Sequence, residues 1–301
     1  MPADRILTGL ALRLVAVFFL ATMSALIKWT ETHGGTLIEI LFFRQLFALP
    51  VVVAWLAIGP GLGSIRTNRI GAHVWRTVVG QIGMVLNFSA ILLLPLAEAT
   101  TFQFTVPIFA TILGALVLGE VTGWHRWAAV VTGFLGVVIV AHPGGGHVSL
   151  AGAAVGLTAA SVVAWVSIML RDLGKTESAG TTVFWFTLLP IPVLGIAYLF
   201  DFHPHAWTVW AVLVTIGLVG AVAQLALTAA LRFGPLSAIM PMDYSNLIWA
   251  TLYGWLIFSV WPTPYTWIGA PVIIASGLYI VWREHRLGRR ESPVSAVDTA
   301  E

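Results

Sequence analysis

Three polar residues interrupt the apolar run 239–255, which reads IMPMDYSNLIWATLYGW. Asp243 and Asn246 are about one helical turn apart, and Ala250 and Gly254 continue the same helix face. A polar group cannot face lipid cheaply, since a charge in mid-membrane costs roughly 2.5–3.5 kcal/mol. This face is therefore predicted to point into the protein, where its polar end meets a substrate, a proton or another helix.

A second run carries the same pattern of polar and then small residues. In residues 97–118, Gln103 is followed at helical spacing by Ala110 and Gly114. Such faces predict a central cavity at the membrane midplane. The predicted substrate-binding residues are Asn87, Gln103, Trp165, Asp243, Tyr244 and Asn246. The alternative role is hydrogen bonding between helices, at about 0.6 kcal/mol per pair, and for Trp165 it is packing.

A separate set of charged residues is predicted to couple or gate transport. Arg44 lies within the apolar run 36–58, and an ionisable group inside a membrane helix is a functional candidate by default. Glu39 and Glu98, near the outer surface, are its candidate partners, and a structural role, in which Arg44 holds helices together, is favoured over a functional one. The predicted coupling or gating residues are Arg44, Glu39, Glu120 and Asp243. Asp243 is the candidate proton carrier, because desolvation favours a neutral carboxyl; downhill transport without protons is the alternative.

Arg44 and Asp243 are not predicted to bind the two charged ends of an amino-acid zwitterion together. The two lie on opposite sides of the midplane, roughly 10 Å apart along the membrane normal at 1.5 Å per residue. The charges of a zwitterion are much closer together than that. These residues are therefore expected to bind one charged end of such a substrate, or neither end.

Several functional classes are excluded by what the sequence lacks. It has no cysteine, so thiolate metal sites and disulfides are excluded. It contains no P-loop, HExxH, GxSxG or dinucleotide fingerprint. The histidines fall in loops or at the ends of apolar runs without a cluster of metal ligands. We therefore expect no enzyme activity, no metal, no cofactor and no nucleic-acid partner.

The elements that position these residues are membrane helices. The chain is 58% hydrophobic and 9% charged, where a soluble domain is nearer 25% charged. Ten apolar runs are long enough to cross roughly 30 Å of hydrocarbon. The predicted spans are 10–30, 36–58, 72–94, 97–118, 124–141, 149–170, 180–199, 207–231, 237–258 and 265–283.

The distribution of basic residues gives the orientation. With the N-terminus in the cytoplasm, thirteen of the 15 Lys and Arg residues fall on the inner side. Lys28 alone falls outside, and Arg44 lies within a span. This asymmetry obeys the positive-inside rule and predicts that both termini are cytoplasmic.

An internal repeat divides the chain into two halves. Residues from Pro95 match those from Pro235 at an offset of 140, with a shared Pro, Ala, Thr and Gly in one register. Since each half has five spans, the second half enters the membrane from the opposite side, as in many secondary transporters. The predicted divisions are residues 1–145, residues 146–287 and a disordered cytoplasmic tail, 288–301.

The sequence resembles the drug/metabolite transporter superfamily, EamA type. The resemblance is carried by FFRQLFALPVV in the second span, LPLAEATTFQFTVPIFATILGALVLGE in the fourth, WAAVVTGFLGVVIVAHPG in the fifth and AAVGLTAASVVAWVSIMLRDL in the sixth. Trp165 matches a tryptophan common at that point of the family. The second half departs from the pattern, because Ser259 and Val260 replace a Gly-Glu pair and Arg44 has no counterpart.

The resemblance implies a bacterial inner-membrane transporter with ten helices in two inverted repeats, working by alternating access as a monomer. It implies export of small metabolites, with amino acids, in particular aromatic or hydrophobic ones, as the leading expectation. The alternatives are a drug, nucleoside, sugar or cationic-compound transporter of the same fold. A membrane enzyme or a lipid-handling protein is a further alternative.

Overall fold

A computed structural model describes residues 3–117, 119, 123–143, 148–230 and 240–288 of the chain, and these residues form helices without a strand. The helices are α1 Ala3–Thr32, α2 Leu37–Ile58, α3 Ile70–Leu93, α4 Leu96–Gln103, α5 Val106–Val117, α6 Trp124–Ala141, α7 Leu150–Leu173, α8 Ala179–Leu188, α9 Pro190–Phe200, α10 Trp207–Ala230, α11 Asn246–Phe258 and α12 Pro264–Gly288. Two short 3-10 helices, Leu62–Ile65 and Met240–Ser245, complete them.

Within the described residues, 9 helical segments are long and apolar enough to cross a membrane, with mean hydropathy from 1.4 to 2.3. They coincide with nine of the ten predicted spans. The remaining prediction, 237–258, is described only from Met240 onward, as a 3-10 helix followed by α11. The predicted disordered tail, 288–301, lies outside the described residues except for Gly288, the last residue of α12.

The ninth predicted span changes from the Met240–Ser245 3-10 helix to α11. Two further spans are interrupted near prolines: the fourth divides into α4 and α5, and the seventh has a one-residue interruption at Leu189, before Pro190. Proline causes both breaks, because it lacks an N–H and its ring clashes with the carbonyl four residues earlier. Pro107 and Pro190 each stand in the first turn of the second piece, where proline is tolerated.

The breaks in the fourth and ninth spans have the same local structure. The Thr105 hydroxyl donates to the Phe102 carbonyl at 2.6 Å, and the Ser245 hydroxyl donates to the Met242 carbonyl at 2.6 Å. These pairs are 140 residues apart in sequence, as are the starts of α5 at Val106 and of α11 at Asn246. Each hydroxyl thus bonds the carbonyl three residues earlier, a local side-chain contact that serine and threonine commonly make in helices.

Four helix pairs make the most extensive contacts: α1 with α10, α6 with α12, α3 with α7, and α2 with α10. Glycines allow the closest approaches. A Cβ on Gly269 would lie 2.6 Å from the carbonyl oxygen of Gly136, and one on Gly136 would lie 3.0 Å from that of Gly269. The α6–α12 crossing therefore needs glycine on both helices, as is common where membrane helices pack backbone to backbone.

The surface of the bundle exposes large apolar side chains, whereas its interior also contains polar residues, as expected for a protein in a membrane. Large apolar side chains such as Val131, Leu135 and Val138 project outward from α6, where lipid replaces water as the solvent. The interior holds Phe88, Phe102 and Ile108 together with a set of buried polar residues. The breaks in the fourth and ninth spans open onto this interior and position the residues described next.

Candidate functional site

Asp243 lies in the 3-10 helix before α11 and forms a bidentate ion pair with Arg13 of α1. The Nε of Arg13 donates to Oδ1 of Asp243 at 2.6 Å, and Nη2 donates to Oδ2 at 2.5 Å. The Arg13 residue is 7% exposed, whereas the side chain of Asp243 is 35% exposed. The carboxylate is therefore occupied by a guanidinium in the fork geometry that carboxylates favour.

Tyr244, next in sequence, connects the break in the ninth span with the break in the fourth span. Its ring meets that of Phe104 edge to face, with centroids 4.9 Å apart. Its hydroxyl lies only 2.6 Å from the point where a Cβ on Gly277 of α12 would stand. The absence of a side chain at Gly277 thus creates the space into which Tyr244 inserts.

Two amide side chains close to these rings in sequence have unmade hydrogen bonds. Gln103 is the last residue of α4, directly before Phe104, and Asn246 is the first residue of α11. The Nε2 of Gln103 and the Oδ1 of Asn246 are both enclosed by protein and have no hydrogen-bond partner. A buried polar atom left in this state costs about 1–3 kcal/mol, so it is a place where a ligand gains affinity by pairing with it.

Asn87 and Trp165 lie on α3 and α7, which pack against each other through Gly83 and Val162. Both side chains are half-buried. No hydrogen bond or ring contact joins either residue to Asp243, Tyr244 or Asn246 within the described parts of the chain. Of the six predicted binding residues, four thus lie at the breaks of the fourth and ninth spans, and Asn87 and Trp165 lie on other helices.

Further aromatic residues make contacts between α1 and α11. Phe18 meets Trp249 edge to face at 5.0 Å between centroids. One turn further along α1, Thr22 shares a hydrogen bond of 2.8 Å with the Tyr253 hydroxyl. Sequence reasoning did not assign these residues to the site. Their signal was available, because Trp249 and Tyr253 follow Asn246 at helical spacing.

The predicted partners of Arg44 are wrong. Glu39 is fully buried, and its carboxylate lies 2.9 Å and 3.0 Å from Nε2 of His205. It also accepts from the backbone N–H of Thr36, in a capping box that starts α2. Glu98 accepts from the Thr263 backbone N–H and from the Thr266 hydroxyl. Both carboxylates bond to groups near helix ends, although Oε2 of Glu98 is buried without a partner, and neither is hydrogen-bonded to Arg44.

Arg44 itself is buried between α2, α8 and α10. Its Nη1 donates to Oε1 of the adjacent Gln45 at 3.0 Å. Its Nε is enclosed and without a partner. Glu120, the remaining predicted gating residue, lies outside the described residues.

Two arginines were missed as site candidates because they were counted as basic residues of the inner side. Arg13 and Arg76 lie inside α1 and α3 and are each only 7% exposed. The predicted spans 10–30 and 72–94 already contain both positions. The rule applied to Arg44, that an arginine within a span is a functional candidate, would have identified them.

The arrangement around the span breaks is suited to non-covalent recognition. It offers aromatic surfaces, one amide donor, one amide acceptor and a charge pair whose members neutralise each other. Across the described residues, no group of three or more His, Asp and Glu side chains could hold a metal ion. The chemistry available is therefore stacking and hydrogen bonding to a small solute.

Comparisons with known proteins identify relatives of this chain. It is 33% identical over 234 residues to a riboflavin transporter of Vibrio cholerae, covering 77% of this chain and 78% of that protein. It is 30% identical over 251 residues to a riboflavin transporter of Rhizobium johnstonii, covering 82% and 80%. It is 27% identical over 255 residues to an S-adenosylmethionine uptake transporter of Rickettsia prowazekii, covering 82% and 84%.

A solved crystal structure has the same fold. The TM-score is 0.61 at 18% sequence identity, covering 97% of this chain and all of the other. The model of the EamA-like transporter family matches twice, at residues 7–141 and 150–282. With both matches together spanning most of the sequence and the helical bundle in agreement, the chain belongs to the EamA-like transporter family.

Proposed function

We propose that this protein carries a small heteroaromatic metabolite of the riboflavin type across the bacterial inner membrane. The observation that carries the proposal is the pair of unpartnered amides, Gln103 and Asn246, beside the rings of Tyr244 and Phe104. A flat heterocycle with a donor and an acceptor on its edge complements an amide donor, an amide acceptor and aromatic surfaces. Two relatives named as riboflavin transporters support the same class.

The same geometry argues against an amino acid as the substrate. A zwitterion needs an anionic group for its ammonium end, and Asp243 is the carboxylate nearest the span breaks. Arg13 occupies both oxygens of that carboxylate. The relatives also favour the metabolite alternative over the expected export of aromatic amino acids, since their names give riboflavin and S-adenosylmethionine as the solutes.

The proposed mechanism is alternating access between two inverted halves. The matching breaks of the fourth and ninth spans, 140 residues apart, support the repeat. The packing supports it too, because exchanging the halves converts the α1–α10 pair into the α7–α3 pair and leaves α6–α12 unchanged. The predicted arrangement of ten spans, cytoplasmic termini and a monomer belongs to this proposal.

The test is transport by the purified protein in liposomes. We expect saturable counterflow of riboflavin, inhibited more strongly by unlabelled flavins than by S-adenosylmethionine or phenylalanine. Q103A and N246A should each reduce kcat/KM about tenfold, as expected for one lost hydrogen bond of about 1.4 kcal/mol. Runs with and without a pH gradient separate proton-coupled from downhill transport.

N87A is the matched control, since Asn87 is also a half-buried membrane amide but lies away from the span breaks. It should retain wild-type kinetics. Absence of flavin counterflow in a preparation that exchanges another solute would refute the proposed substrate class. Equal losses in N87A, Q103A and N246A would refute the proposed site.

A further inference from the structure

Two arginines are buried in the helix bundle with hydrogen bonds left unmade. Arg44 of α2 is 9% exposed and Arg76 of α3 is 7% exposed. The Nε atoms of both, and Nη1 of Arg76, are enclosed by protein without a partner. Guanidinium stays protonated in proteins, so these side chains cannot escape the cost of burial by losing charge.

Neighbouring groups offer only partial compensation. Arg44 donates one hydrogen bond to Gln45, whose own amide donates to the Phe186 carbonyl at 3.3 Å. Arg76 lies over the Phe186 ring, with Cζ 3.8 Å from its centroid. A neutral amide and a cation–π contact stabilise a cation less than a carboxylate does. The charge of Arg44 also acts unfavourably on Arg76.

Three carboxylates of the described residues bond to other groups, although Oε2 of Glu98 is left without a partner. Asp243 pairs with Arg13, Glu39 with His205, and Glu98 with Thr263 and Thr266. Glu177 accepts from Thr67 at 2.7 Å and lies 3.7 Å from His73, which is one turn before Arg76 on α3. An uncompensated buried charge is strongly destabilising, so a counter-ion from outside the described residues is the expected solution.

The space beside Arg44 limits the size of that counter-ion. A cavity of about 10 Å³ lies between α2, α8 and α10. This is room for about one water-sized particle. Its polar lining is provided by Arg44, Gln45, Thr187 and Gln224. The volume favours a monatomic anion over phosphate or the carboxylate end of a metabolite.

We propose that Arg44, with Gln45 and Gln224, binds a small inorganic anion of the size of chloride, and that Arg76 across Phe186 adds to the positive field that holds it. This site is separate from the amide and aromatic group around Tyr244 and does not depend on the identity of the transported solute. The anion neutralises charge that the bundle otherwise buries without a partner.

The experiment is thermal unfolding of the full chain in neutral-lipid nanodiscs at constant ionic strength. Chloride replaces a bulky organic sulfonate stepwise. We expect the midpoint to rise by about 2–4 °C at a chloride concentration tenfold above the dissociation constant. R44Q should abolish the rise and R76Q should reduce it. R69Q is the matched control, because Arg69 is an exposed arginine that pairs with Asp172, and it should keep the full rise.

A second measurement remains informative if R44Q fails to fold. Crystals of the wild-type protein grown in bromide should give an anomalous peak within hydrogen-bonding distance of the Arg44 guanidinium. A wild-type midpoint that is insensitive to chloride, an equal rise with phosphate, or an undiminished rise in R44Q would each overturn the proposal. So would bromide peaks that avoid Arg44.

Discussion

Two regions of this protein bury arginine in opposite ways. At the start of the ninth span, Arg13 meets a carboxylate with two hydrogen bonds. Between α2 and α3, Arg44 and Arg76 lie equally deep and meet an amide and an aromatic ring. Exposure is similar for all three residues, so burial alone does not distinguish them.

The difference indicates two roles for buried charge in one bundle. A charge pair that is already satisfied fixes the position of a segment, here the Met240–Ser245 helix against α1. A charge without a partner keeps its capacity to attract a counter-ion. The first arrangement therefore holds one segment against α1, and the second is the basis of the proposed anion site.

The largest effect should come from breaking the satisfied pair. Asp243→Asn leaves the Arg13 guanidinium buried without its counter-charge, which typically costs 3–5 kcal/mol for a fully buried pair. Because the Asp243 side chain is 35% exposed, we expect about 2–3 kcal/mol. Thermal unfolding followed by tryptophan fluorescence should show a midpoint about 5–10 °C below wild type.

The double variant R13Q/D243N tests whether the loss comes from the charge. It should recover more than half of the stability that D243N loses, because neither buried charge is then left alone. A double variant no more stable than D243N would place the cost in packing of the 3-10 helix. The comparison between the two arginine regions would then fail.

An intermediate effect is expected at Lys28, whose positive charge is stabilised in a third way, by backbone carbonyls. Its Nζ donates to the carbonyls of Ile91 at 2.9 Å and Leu94 at 2.7 Å, at the C-terminal end of α3. A cation here satisfies orphan carbonyls and opposes the negative end of the helix dipole. Lys28→Met should lower the free energy of unfolding by about 1–2 kcal/mol.

Lys28→Arg is the control, since it retains the charge at nearly the same reach. It should recover most of the lost stability in the same unfolding assay. If K28M is neutral, the carbonyls of α3 are satisfied without the ammonium. This contact also gives a structural reason for the single lysine that departs from the positive-inside pattern.

The sequence predicted the spans well because length and hydropathy are local properties. It also puts Asp243, Tyr244 and Asn246 within one helical turn, and their joint role in binding stays a prediction. The break in the fourth span was not predicted, because whether a proline bends a helix or divides it depends on the packing around it.

Partnerships between distant segments could not be predicted in the same way. Arg13 and Asp243 are 230 residues apart, and nothing in either local sequence specifies the other. Glu39 was assigned to Arg44 from depth alone. Depth in the membrane follows from position in a span, but the direction in which a side chain points around the bundle does not.

The smallest effect is expected at the ion pair between Arg69 and Asp172, at the ends of α3 and α7 that are cytoplasmic in the proposed orientation. Arg69 donates to Asp172 at 2.8 Å, but both side chains are exposed. Asp172→Asn should shift the unfolding midpoint by less than about 1 °C at neutral pH and physiological salt, because water and ions screen such a pair.

The pH dependence of this small effect has a definite sign. The hydrogen bond and charge of Arg69 lower the pKa of Asp172 from its ordinary 3.8. The folded protein therefore gains stability from the ionised carboxylate above pH about 4, and this gain is lost as pH falls through the lowered pKa. The difference in midpoint between wild type and D172N should shrink below pH about 4 and grow at low salt. A loss as large as that of D243N would mean that exposure to water does not set the value of an ion pair in this protein, and the contrast between the two arginine regions would need another physical cause.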